Sequence, residues 1–132
     1  MKKLKNNIAL LFFVALLAFP ISAFAASYNI TYEFDKFLSG PVRGFGGKNI
    51  AVYLNSKTTS PCRSCSTKFD VALYRDVWGP NDYIGSGSAP RNGSTTLKFP
   101  NVGKGEYYIE LTKAGDDVTV KNADSSPKIY NY

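Results

Sequence analysis

From Tyr28 onward the chain alternates apolar and polar residues with a period of two. Tyr28, Ile30, Tyr32 and Phe34 interleave with Asn29, Thr31, Glu33 and Asp35. That is the pattern of a strand with one buried face. Phe37 falls out of phase, so a bulge or strand end is predicted near Lys36. Ser39-Gly40-Pro41 and Gly44-Phe45-Gly46-Gly47 read as loop. The alternation returns at Ile50, Val52 and Leu54, and again at Phe69, Val71 and Leu73. Residues 78–93 read as a long loop with a short extended piece at Tyr83-Ile84. Asn92-Gly93 within it is a turn signal, because both residues tolerate positive φ. Leu97 and Phe99 mark a strand that stops at Pro100. Asn101-Val102-Gly103-Lys104-Gly105 is a further turn. Tyr107, Ile109 and Leu111 form the clearest late strand. Ala114-Gly115-Asp116-Asp117 reads as a hairpin loop, Val118 and Val120 open the next strand, and residues 128–132 close the sheet.

Seven or eight short strands separated by turn signals predict an all-β fold. The expected architecture is an antiparallel β-sandwich, jelly-roll or Ig-like, with an open barrel as the alternative. No stretch beyond the N-terminus carries a helical apolar period.

The N-terminus has a different pattern. Lys2, Lys3 and Lys5 precede an unbroken apolar run over residues 8–19, and Ala23-Phe24-Ala25 follows. This is the layout of a bacterial secretory signal peptide cut after Ala25. The apolar run is short against the roughly 20 residues of a spanning helix. The expected organisation is a signal peptide over residues 1–25 and a single β-sandwich domain over residues 26–132. The protein is then secreted, extracellular or cell-wall associated. No Cys sits at the cleavage site to make it a lipoprotein.

Cleavage changes the charge. The whole chain has 16 basic and 10 acidic residues. The leader takes three Lys and no acid, which leaves 13 against 10, a net of +3. That mild excess suits weak attraction to anionic surfaces. It is not the basic stripe of a nucleic-acid binder. Membrane association is expected only at the surface, since no second segment is long and apolar enough to span.

Cys62-Arg63-Ser64-Cys65 holds the only two cysteines. In an exported chain the spacing reads as a local disulfide between the second and third strands. A redox site would need a lowered thiol pKa, usually from a helix N-terminus, and Ser66 onward reads as strand. Zinc would need further ligands, and the chain has no His and no other Cys. The lack of His also removes the commonest general base. A two-carboxylate glycosidase would have to draw on Asp70, Asp76, Asp82, Glu106 or Glu110, and no spacing singles out a pair. The expectation is therefore no enzyme and no cofactor. Calcium is a lesser option at Asp116-Asp117 or Asn81-Asp82, where carboxylates and loop carbonyls coincide.

Aromatic residues supply the binding hypothesis. Tyr53, Tyr74 and Tyr108 fall on the polar phase of three strands, and Trp78, Pro80 and Tyr83 fall in the long loop. Neighbouring strands would merge these into a flat platform on which sugar rings stack. The alternative is burial beneath a sheet edge or loop. Arg43, Lys48, Arg75 and Arg91 lie near loops, where they are expected to be exposed.

The stretch Phe99-Pro100-Asn101-Val102-Gly103-Lys104-Gly105-Glu106-Tyr107-Tyr108-Ile109-Glu110-Leu111 resembles the ending of small secreted β-sandwich modules of Gram-positive bacteria. It is similar in rhythm to pre-peptidase C-terminal type jelly-roll modules. The resemblance implies an accessory module of exported proteins, tied to surface or polysaccharide binding. It carries over no binding residue. The function expected is a secreted, non-enzymatic module for cell-envelope or extracellular polysaccharide. The competing classes are a secreted antagonist acting on membranes or envelopes, and a biofilm or spore-coat structural component.

Overall fold

The computed structural model describes residues 26–132. The expected leader and its cleavage after Ala25 lie outside the described residues. Among the described residues the chain forms β1 (Ser27–Asn29), β2 (Glu33–Phe34), β3 (Phe37–Ser39), β4 (Arg43–Phe45), β5 (Lys48–Thr58), β6 (Lys68–Asp76), β7 (Asp82–Pro90), β8 (Gly93–Val102), β9 (Gly105–Thr112), β10 (Val120–Asn122) and β11 (Lys128–Asn131). Every strand pairing is antiparallel.

Several short strands lie end to end along a longer neighbour. β10 and β11 line one edge of β5, and β1 and β2 continue outward from them. β8 lines the other edge of β5. In the second sheet β3 and β4 share one edge of β9, while β6 and then β7 follow on the other. Each sheet is thus four lines deep. Numbered in chain order, the lines run 1-8-3-6 in sheet A, which contains β5, and 2-7-4-5 in sheet B, which contains β6. Apart from the β6–β7 hairpin within sheet B, successive lines alternate between sheets in the nested Greek-key manner of a jelly roll. The all-β sandwich legible in the sequence is present, and of its two expected forms this is the jelly roll.

The inner faces come from the alternation. Ile50, Val52 and Leu54 of β5 face Phe69, Val71 and Leu73 of β6 across a core completed by Phe34, Phe99, Tyr107, Ile109, Leu111 and Ile129, all buried. Phe34 meets Phe69 edge to face at 5.4 Å, the arrangement the ring quadrupoles favour. Two buried tyrosines satisfy their hydroxyls. Tyr32 lies 2.6 Å from Ser56 Oγ and donates to the Asn55 carbonyl at 3.0 Å. Burial raises its pKa, and these hydrogen bonds offset part of the rise. Tyr107 donates back to the Gly103 carbonyl across the turn into β9, pinning that corner as tyrosine corners do.

The structure corrects several sequence readings. Residues 78–93 are not one loop, because β7 occupies Asp82–Pro90. Two of its three inward positions, Gly85 and Gly87, are glycines because β8 fills the space; the third is the buried Ala89. A Cβ on Gly87 would stand 2.8 Å from Leu97 Cδ2, and one on Gly85 would stand 3.3 Å from Phe99 Cδ1. Glycine there is read from sequence as loop, yet its role is to admit larger side chains. Pro100 does not stop β8, which runs on to Val102. β8 is an edge strand, where a residue without an N–H is tolerated. The first alternating run divides into β1 and β2, and the change of phase before Phe37 is where the chain leaves sheet A for sheet B. The glycine-rich segment after Pro41 contains β4. Residues 113–119 connect β9 to β10 in the other sheet, so they form no hairpin.

Candidate functional site

The outer face of sheet B brings together three of the sequence-predicted aromatics. Tyr74 of β6 is in register with Tyr83 of β7 on one side and Tyr108 of β9 on the other. A register shift between Leu73 and Tyr74 lets Tyr83 share the outer face with Tyr74. The Tyr74 and Tyr108 rings stack with centroids 5.5 Å apart and planes 13° apart. Tyr83 meets Tyr74 edge-on at 5.7 Å. Tyr83 is 59% exposed, and Tyr74 and Tyr108 are half-buried. Desolvation first, then the charge of Glu110, raises the pKa of Tyr74, so its hydroxyl stays a neutral donor through the physiological range.

The loop between β6 and β7 flanks this row at the strand ends. Asn81 organises it: its Oδ1 accepts from the Val77 N–H at 3.3 Å, and its Nδ2 donates to the Tyr108 hydroxyl at 2.9 Å. Gly79, at φ +98°, makes the reversal, and Pro80 restricts the chain after it. Trp78 at the tip is fully exposed, with a relative accessibility of 104%. An indole in that state buries nothing and has no packing role in the monomer. Asp76 and Glu106 pair across β6 and β9 beside the loop. Beyond Tyr108, the two interrupted edges of the sandwich face each other and leave a cleft of about 250 Å³, lined by Ile30, Leu38, Gly40, Pro41 and Arg43 as well as Tyr108.

Tyr53 does not join the row. It lies on β5, paired with Thr96 and Lys128, on the outer face of sheet A. Strand parity was right for it, but the jelly-roll connectivity puts β5 in the other sheet.

Cys62 and Cys65 form a disulfide with Cα atoms 5.5 Å apart. It closes the loop between β5 and β6, and β6, not a helix, follows it. The Asp116 carboxylate is taken up by cations of this chain. Arg91 Nη1 lies 2.5 Å from Oδ2, and Lys113 Nζ lies 2.8 Å from Oδ1. Their hydrogen bonds, Lys113's first, hold Asp116 far below the usual carboxylate pKa, so calcium would have to displace two ion pairs there. Among the described residues no group of three or more His, Cys, Asp or Glu is placed to hold a metal.

Arg91 was expected to be exposed near a loop. It is buried, with Nε donating to the Lys68 carbonyl at 3.2 Å. Lys113 was missed altogether, though its side chain is 0% exposed and also binds Asp35 at 3.0 Å. A Lys before Ala114-Gly115 reads as solvated, and only the fold brings Asp35 and Asp116 to it. Arg75 folds back on its own sheet, donating to the Lys104 carbonyl at 2.7 Å, and Arg43 lies over the Tyr28 ring at 5.2 Å.

The fold and the row define a jelly-roll β-sandwich with an aromatic strip on one outer face. No family model matches the chain, and no curated protein matches it. Nothing therefore ties it to the pre-peptidase C-terminal type modules that residues 99–111 resemble, although the β-sandwich which that resemblance implied is present. Among solved structures, the Yersinia pseudotuberculosis-derived mitogen is similar at 18% identity and a TM-score of 0.36, over 80% of this chain and 81% of the mitogen. TmCBM61, solved in complex with β-1,4-galactotriose, is similar at 13% identity and a TM-score of 0.33, over 78% of this chain and 65% of that one. The sandwich assignment stands on the strand pairing itself.

Proposed function

We propose that the protein is an exported, non-enzymatic module that binds a cell-envelope or extracellular polysaccharide on the outer face of sheet B. The observation that carries this reading is the in-register row Tyr83–Tyr74–Tyr108, with the exposed Trp78 on the β6–β7 loop beside it. Sugar rings present C–H faces that stack on aromatic rings, and their hydroxyls pair with groups at the ring margins. The row offers both. Its phenol hydroxyls, the Asn81 amide and the Ser86 hydroxyl, which accepts from Tyr83 at 2.8 Å, border an apolar strip. The ring centroids follow one another at 5.7 and 5.5 Å, roughly the spacing of sugar units along a chain. The small neighbours Ala72 and Ser86, directly across from each other, leave the strip unobstructed on one side.

The test is retention on insoluble cell wall, chitin and cellulose. The wild type is expected to be retained on at least one of them, and Tyr74→Ala and Trp78→Ala are each expected to weaken that retention about tenfold, as loss of a central aromatic anchor does. Absence of retention on every matrix, or retention unchanged by both substitutions, defeats the reading.

A further inference from the structure

The two outer faces carry opposite charge. On sheet B, strand parity puts Asp70 and Asp76 of β6 and Glu106 and Glu110 of β9 outward beside the tyrosine row, against one outward cation, Lys68. On sheet A the outward positions hold Lys57 of β5, Lys98 of β8, Lys121 of β10 and Lys128 of β11. Glu33 pairs with Lys121 there, and Asp124 accepts from Asn55. The sheet A lysines lie among rings, with Lys128 Nζ 4.9 Å from the Tyr130 centroid and Lys98 Nζ 5.4 Å from that of Tyr132. Each sheet is four lines deep.

From this polarity we infer that sheet A of one copy docks on sheet B of a second copy, so that the protein associates head to tail. The charges select this pairing over the two symmetric ones, since sheet A against sheet A opposes lysines and sheet B against sheet B opposes carboxylates. The lysines of sheet A meet the carboxylates of sheet B. Because the two contacting surfaces differ, the contact does not close a two-fold dimer. It leaves a free sheet A at one end and a free sheet B at the other, so association continues into a ring or an open chain. The inference does not depend on the polysaccharide reading. It uses the same tyrosine face, so a bound saccharide and a docked copy compete.

Sedimentation equilibrium of the purified protein tests it. In about 20 mM salt the weight-average mass should rise with concentration, and in about 500 mM salt, where screening shortens to a few ångströms, it should return to that of one copy. Lys98→Glu with Lys128→Glu should abolish the association, and Asp70→Lys with Glu110→Lys should do the same. An equimolar mixture of the two double variants should restore it, because each supplies the charge the other has lost. A single copy at every concentration in low salt overturns the inference. So does association that survives high salt, ignores both variants, or is not restored by mixing. If the wild type stays single but co-sediments with anionic phospholipid vesicles or polyphosphate, sheet A serves a polyanion and not a second copy. The wild-type salt series needs no variant, so a variant that misfolds leaves the test intact. Retention of Tyr74→Ala on matrices reports separately on the polysaccharide reading.

Discussion

The two ends of sheet B invest their residues differently. At one end, Lys113, Asp116, Asp35 and Arg91 form a buried ionic cluster beside the Cys62–Cys65 loop. At the other, Trp78 and Tyr83 are exposed to solvent beside the half-buried, stacked Tyr74 and Tyr108. The first end is costly to break, because a charged side chain withdrawn from water must keep its partners. The second end contributes little to stability and leaves its surface free for a partner. Stability and recognition are thus placed at opposite ends of the same strands and can be perturbed separately.

Lys113→Ala is the most damaging way to break the comparison. It leaves Asp35 and Asp116 without the ammonium between them, and a loss of about 3 kcal/mol is expected in urea unfolding. Matrix retention at temperatures where the variant is folded should not change. Removing the disulfide comes next. Cys62→Ser with Cys65→Ser releases a very short ring and should cost about 2 kcal/mol at most, by loop-closure entropy. Reduction of the wild type should give a similar decrement. At the aromatic end the sign of the experiment reverses. Tyr74→Ala should lower retention about tenfold while the unfolding midpoint shifts less than for either change above.

The smallest effect expected is on acid stability. The folded state holds Asp116 well below its ordinary pKa, through Lys113 and then Arg91, and holds Asp124 lower too, through Ser126. The unfolded chain therefore binds more protons in acid, and stability rises with pH in that range. The contribution should be complete above about pH 5 and should fade progressively below it. Asp116→Asn should flatten that slope in an acid titration of the unfolding midpoint, and an unchanged slope would remove Asp116 from the account.

The sandwich was legible because its inner faces are written in strict alternation, as at Ile50, Val52, Leu54 and again at Tyr107, Ile109, Leu111. β7 was not legible, because two of its inward residues are Gly85 and Gly87 and the third is the small Ala89, and the apolar matter beside the glycines belongs to Leu97 and Phe99 of another sheet. Parity alone set Tyr74 and Tyr108 facing outward. Their union with Tyr83, and the separation of Tyr53, needed the strand order, which no local pattern encodes. The ionic cluster was hidden for a related reason: Asp35, Arg91 and Lys113 are far apart in the chain and each is unremarkable there. Chemistry carried by one strand can be read from one segment, whereas chemistry assembled between sheets cannot.

The charged faces are also notable for what they are built from. With His absent from all 132 residues, no imidazole stands on either face, and the charge there is carried by carboxylates and lysine ammoniums. The polarity across the thin axis of the sandwich is therefore weakened by added salt.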